Sequence, residues 1–299
     1  MCGMGEQQIL TFDTSAINKL ADEKSFDLLM AYIRERFCVQ VSFDSVEEIV
    51  ATSRAPRRRQ LLCVCNRLLA DGTCIDPAGP LLQKMVARFE RDAGFDWAEV
   101  NVGVCRIPDL ISHSEGLDDC LAKQVREERK QFGEAFTKVY REAKPRFNVV
   151  LAFQETEAPK NPAALVNRLQ STFWKTASNI YARHAKKPFD ETTIQRFMQE
   201  CDPLRALVNA FFVAAFDKCV RPPRSATSFR SGFGDTLMSV CLPYCNYFVT
   251  NDTNGIEAGG QLAFYQEICS LAGLKHVTVQ SYDKFRQQFS EWAVLCAAR

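Results

Sequence analysis

Four acidic residues stand where carboxylates can do chemistry: Asp13 in QILTFDTSAI, Glu48 in SFDSVEEIV, Asp235 in SGFGDTLMSV and Asp252 in NYFVTNDTNG. Asp13 ends a short apolar run that reads as a strand, and Asp252 follows another such run by two residues. In open α/β sheets, ligands bind outside the carboxyl ends of the strands, so both acids are expected to face one crevice. Glu48 falls on the helix after a second strand, and Asp235 opens a helix behind a glycine loop. Each also has an ordinary reading. Asp13 and Asp235 can be N-caps, Glu48 a solvated helix residue, and Asp252 the anchor of an Asx turn. Converging carboxylates would raise one another's pKa. A divalent cation removes that penalty, and oxygen-only ligands suit Mg²⁺ or Mn²⁺.

The elements that must position these acids alternate at both chain ends. Strands are expected at 8–12, 38–42, 246–250 and 275–279. Helices are expected from Asp13, at 25–37, 44–52, 57–70, 256–271 and 282–296. That rhythm predicts a parallel α/β sheet. Gly72-Thr-Cys-Ile-Asp-Pro-Ala-Gly-Pro80 reads as turn residues that break the chain. Between about residue 81 and 229 strand signals fade. Leu117, Leu121, Val125, Phe132, Phe136 and Val139 share one helical face, which reads as core. Residues 202–216 are nearly all apolar and predict a buried helix. The expected organisation is a discontinuous α/β unit of 1–80 and 230–299 with a mainly helical insertion at 81–229.

FDTSAI, SFDSVEEI and GDTLMSVCLPYCNYFVTND, in that order, resemble the PIN-domain nuclease family. That family is marked by Asp-Thr-Ser/Asn after its first strand, then an acid in a Ser-x-x-x-x-x-Glu-Leu/Ile helix. An Asp opening a later helix follows, and last a strand ending Val-Thr-x-Asp. The matching acids are Asp13, Glu48, Asp235 and Asp252, with Glu47 as a neighbouring alternative to Glu48. The resemblance covers roughly residues 8–54 and 230–282, and the long segment between departs from a minimal PIN domain. It implies a three-layer α/β/α fold with a central parallel sheet and a metal-dependent endoribonuclease. Asp13 and Asp235 would be core Mg²⁺ or Mn²⁺ ligands, completed directly or through water by Glu48 and Asp252. Ser15 and Thr250 would orient the carboxylates, and Asn251 would touch substrate or shape the turn. Many small relatives are toxins, so a protein inhibitor or antitoxin is an admissible partner. Oligomeric state is open, with a homodimer among the options. The alternative is a catalytically inactive PIN-like scaffold that binds nucleic acid or protein through the helical insertion.

Charge distribution bears on the substrate. Residues 123–230 carry 20 Lys/Arg against 11 Asp/Glu, whereas residues 1–122 carry 13 against 19. A basic middle between acidic ends suits a polyanion brought to a metal site. Arg54, Arg57, Arg58 and Arg59 follow the Glu48 helix and are candidate phosphate contacts, as is Arg230 before Asp235. Such contacts give affinity without reading sequence. Phe229 and Phe233 are candidates to stack bases. Other chemistries fit less well. A haloacid-dehalogenase-like Asp-x-Asp would need an acid where Ser15 stands. Phosphate-binding glycine loops are missing. Cys63/Cys65 and Cys241/Cys245 lack the second half of a zinc site. His113, His184 and His276 lie outside the four motifs. With 13 cysteines, no secretory signal and no apolar run of membrane-spanning length, the expectation is a cytoplasmic protein with reduced thiols and no membrane contact.

Overall fold

The structure is a computed structural model that describes residues 8–69, 73–92, 94–100, 118–153, 159, 161–220, 232–252 and 260–297. Its centre is a five-stranded sheet: β1 (Gln8–Phe12), β2 (Phe37–Ser42), β3 (Thr73–Ile75), β4 (Tyr247–Thr250) and β5 (Thr278–Ser281). The order is β3-β2-β1-β4-β5 and every pairing is parallel. The chain therefore builds outward from β1 to β3, then returns to the other side of β1 with β4. The β1/β4 boundary is the topological switch point where such sheets open a crevice. Two expectations are corrected. The stretch read as turn residues contains the edge strand β3, whose three residues are too few to show a period. The last strand lies at 278–281, three residues later than expected at its start.

Helices cover both faces of the sheet. On one side are α1 (Thr14–Ala21), α2 (Phe26–Arg36), α3 (Phe43–Val50) and α4 (Ala55–Leu69). α5 (Ala78–Phe89) is followed by α6 (Asp118–Phe153), α7 (Pro162–Arg168), α8 (Gln170–Ala182), α9 (Glu191–Glu200) and α10 (Asp202–Ala215). α11 (Phe233–Met238), α12 (Gln261–Ala272) and α13 (Tyr282–Ala297) complete the chain. Successive strand residues point to opposite faces. Thus Val249 joins a core with Leu10, Phe12, Val41 and Phe285. Its neighbour Phe248 joins a second core with Leu81, Phe197, Leu207 and Val279. The second core runs without a break from Ile75 through α10 to β5, so much of the helical segment is the layer over that face. α10 is buried nearly all round, as its composition predicts. α6 is not: Ala122, Phe136 and Tyr140 are buried, but Leu121, Phe132 and Val139 stay exposed. Their helical spacing marked an amphipathic face, and the fold leaves part of that face uncovered. Among the described residues no helix is long and apolar enough to cross a membrane.

Asn246 sets the register at the switch point. Its N–H donates to the Ile9 carbonyl at 2.9 Å and its Oδ1 accepts the Ile9 N–H at 2.7 Å. Its own carbonyl accepts from Thr278 N–H at 2.8 Å, which ties in β5. Asn246→Ala leaves the Ile9 N–H without its side-chain partner, and it is expected to cost about 1 kcal/mol in urea unfolding. An unchanged midpoint would show that the backbone ladder alone holds this register.

Candidate functional site

The end of β1 runs directly into α1, and Asp13 is the residue between them. Its carboxylate caps the helix, accepting the Ala16 N–H at 2.7 Å. Its own N–H donates to the Val249 carbonyl at 3.0 Å, which extends the β1/β4 ladder by one step. The N-cap reading is therefore correct, but it uses only part of the side chain. The Ser15 hydroxyl lies 2.7 and 2.9 Å from the two carboxylate oxygens and donates to them. That same hydroxyl accepts the N–H groups of Asn251 at 2.8 Å and Asp252 at 3.2 Å. Ser15 thus ties the acid that ends β1 to the backbone just past β4. Thr250, fully buried, places its hydroxyl 3.3 Å from that of Ser15. It also accepts the Asp252 N–H at 3.2 Å, an ST-type turn.

The other two acids approach from separate elements. Glu48 accepts from the Thr14 hydroxyl at 2.9 Å, so α3 is joined to the first residue of α1. Glu47, one residue earlier, lies 3.9 Å from Arg129. Asp235 lies in the first turn of α11 but is not its N-cap, which is Gly232. Its Oδ1 accepts from Gln261 Nε2 at 2.7 Å and lies 3.4 Å from the Tyr265 hydroxyl. Both partners belong to α12, the helix after β4. Asp252 is drawn in through its backbone, as described for Ser15 and Thr250.

These groups also act on one another electrostatically. Burial pushes the Asp13 carboxyl up to about 7, its hydrogen bonds from Thr250, Ala16 and Ser15 opposing and the Asp235 charge adding to the rise. The buried Tyr265 phenol is pushed far up, first by burial and then by the charges of Asp235, Asp13 and Glu48. One phenol therefore feels three of the four acids. Among the described residues, no three His, Cys, Asp or Glu side chains converge to metal-ligand distance. The donors still suit a hard ion. They are all oxygens, and Asp13 is a buried carboxyl whose charge is opposed by burial and by a neighbouring acid. Mg²⁺ keeps several waters and is held by only one or two carboxylates.

Several groups near these acids escaped sequence reading. Asp44 is buried on α3, its Oδ2 has no hydrogen-bond partner among the described residues, and burial with the Glu47 charge raises it to about 7. It precedes Glu48 by four residues and so shares its helix face. Arg129 comes from α6. Its guanidinium lies 3.5 Å from Glu48 and 3.5 Å from the Asp44 carbonyl. Lys218, on the π-helical turn Phe216–Val220, has its ammonium pushed down by burial, while the Asp235 charge opposes that.

The expected arginine contacts need correction. Arg58 is 1% exposed and donates to the Thr52 carbonyl, so it is part of the core rather than a phosphate contact. Arg57 is committed to Asp22 and to the Asn18 carbonyl, and holds the Asp22 carboxyl below its ordinary range. Arg54 and Arg59 are exposed on and before α4. Arg230 and Phe229 lie outside the described residues. Cys241 and Cys245 are buried with thiols pushed up by burial, and His276 bonds the Pro243 carbonyl, away from the acids.

Comparison with known proteins returned no matching family model, no matching curated protein and no matching solved structure.

Proposed function

We propose that this chain is a metal-dependent nuclease of PIN-like fold that hydrolyses phosphodiester bonds, as an endoribonuclease. The observation that carries this reading is the junction at the switch point. Asp13 at the end of β1 and the backbone before Asp252 share one serine hydroxyl, while Asp235 acts electrostatically on Asp13. Asp13 and Asp235 are the residues that would hold Mg²⁺ or Mn²⁺, with Glu48 and Asp252 completing the set directly or through water. The ion, when bound, supplies a water of lowered pKa and positive charge against the phosphodiester oxygens.

The protein's own contribution is orientation. Ser15 and the Ala16 N–H fix both oxygens of Asp13, Gln261 fixes Asp235, and Thr14 fixes Glu48. Such supporting bonds hold carboxylates in one rotamer, so little reorganisation remains when a cation binds. Arg129 neutralises part of the acidic field, so an anionic strand can approach. RNA rather than DNA rests on the family resemblance, as does an inhibitor or antitoxin partner.

Mn²⁺ titration by calorimetry and a cleavage assay on RNA and single-stranded DNA test the reading. Asp235→Asn is expected to weaken Mn²⁺ binding sharply and to lower cleavage on the order of 10²–10³-fold, the loss typical of removing one electrostatic contributor to a transition state. A folded wild-type protein that binds neither Mn²⁺ nor Mg²⁺ and cuts neither nucleic acid would return the scaffold reading.

A further inference from the structure

Phe132 is 57% exposed on α6, yet its ring is not loose. It stacks on Phe233 with centroids 5.5 Å apart and planes 14° from parallel, and Phe233 in turn meets the buried Phe136 at 5.7 Å, edge to face. The outer face of Phe132 is therefore a flat apolar surface held from behind by two more rings. Arg129, which reaches Glu48 at 3.5 Å, links this surface to the acids. Arg129 lies three residues before Phe132, on the same helix face. One of its terminal nitrogens lies 3.0 Å from where a side chain on Gly234 would begin. Lys218 approaches the same turn from the other side, its Nζ 3.2 Å from the equivalent point on Gly232 and 5.6 Å from the Phe136 ring centre. Two cations thus flank the backbone at Phe233, one beside Gly232 and one beside Gly234.

We infer that Phe132, backed by Phe233 and flanked by Arg129 and Lys218, is a subsite for an unpaired nucleotide. Its base stacks on the Phe132 ring and its phosphate is held by the two cations. This rests on the nuclease reading of the acids and adds the substrate class: single-stranded nucleic acid. The chemistry selects against duplex. Within a helix both faces of each base are covered by neighbours, so no face is available to the ring, whereas an unstacked base can lie on an aromatic platform. A guanidinium and an ammonium beside that platform match the phosphate charge without reading sequence. The same exposed ring could serve a protein partner, but adjacency to two cations and to the acids favours a nucleotide.

The probe is a labelled strand of about 15 nucleotides, alone and annealed to its complement, with binding followed by anisotropy in EDTA. Wild-type protein is expected to bind the single strand at least about tenfold more tightly than the duplex. Phe132→Leu keeps an apolar side chain but no stacking face, and should weaken single-strand binding by about 5- to 100-fold. Phe132→Trp should retain it. Arg129→Gln should reduce the slope of log affinity against log salt by about 0.7. Equal affinity for both forms, or wild-type binding by Phe132→Leu, overturns the subsite. The second result also assigns the ring to protein packing or docking. If those variants bind as wild type while the protein still takes Mn²⁺ and cuts, the subsite falls and the nuclease reading stands. If the wild-type protein binds no strand and cuts none, both fall.

Discussion

Asparagine in place of Asp13 is expected to stabilise the metal-free protein above pH 7 and to abolish its response to Mn²⁺. The sign follows from protonation. The Asp13 carboxyl titrates near 7 in the folded protein against an ordinary value of 3.8, chiefly because it is buried. Between pH 4 and 7 the folded chain therefore holds a proton that the unfolded chain has lost. Stability then falls as pH rises through that window and levels off above it. Ionising Asp13 in place costs roughly 4 kcal/mol at neutral pH and above. An amide keeps the Ala16 bond and escapes this cost, although it accepts less well from Ser15. A saturating divalent ion narrows the gap: at about 100-fold over its dissociation constant it adds roughly 2.7 kcal/mol to a protein that binds it. Wild type should therefore lie below Asp13→Asn without metal and gain on it with Mn²⁺. Asp44 provides the control. Its carboxyl also titrates near 7 for want of solvent, so Asp44→Asn should flatten the same pH profile while leaving Mn²⁺ binding intact. Urea unfolding from pH 4.5 to 8, with and without Mn²⁺, checks both. An Asp13→Asn protein with the wild-type pH profile and wild-type Mn²⁺ response would remove Asp13 from the site.

Much of the frame was legible because the strands that carry the site are short apolar runs, each closed by an acid or a turn. β1, β2 and β4 were readable for that reason, and with them the positions of Asp13 and Asp252. β3 was not, since three residues between a glycine and an Asp-Pro pair look like a turn until β2 pairs with them. α6 shows the limit of periodicity. Phe132 and Val139 recur at helical spacing, but spacing reports an apolar stripe and says nothing about whether another element covers it. Arg58 errs in the opposite direction. It was grouped with Arg57 and Arg59 by charge density, yet it lies in register with Leu61, Leu62 and Cys65, all buried on α4. The helix expected at 57–70 carries that inward register, and charge density alone hides it. Arg129 carried no local signal, because its meeting with Glu48 depends on where a long surface helix lands. Gln261 and Tyr265 reach Asp235 only because α12 returns beside α11.

Ser15→Ala is the substitution expected to damage both fold and site. The hydroxyl donates to Asp13 and accepts from Asn251 and Asp252, so its loss removes one bond to a carboxylate and strands the Asn251 N–H, while the Asp252 N–H keeps the Thr250 hydroxyl. A stranded donor costs about 1–3 kcal/mol when water cannot reach it. Because Ser15 is only half-buried, a loss of about 1–3 kcal/mol, the carboxylate bond included, is expected in urea unfolding at pH 7.5. The same change frees the chain beyond β4 from α1, so Asp252 loses its fixed position relative to Asp13. Mn²⁺ affinity should drop about 10- to 100-fold, the usual effect of losing an orienting partner. Ser15→Thr separates these roles from simple packing. It restores a hydroxyl at the same carbon, and both stability and Mn²⁺ binding should recover with it. If Ser15→Ala unfolds within about 0.5 kcal/mol of wild type, water satisfies the Asn251 N–H. If Mn²⁺ binding is also unchanged, Asp252 does not depend on this bridge. The acids would then be held by the Thr250 hydroxyl and the strand ends alone, and the switch point would close without Ser15.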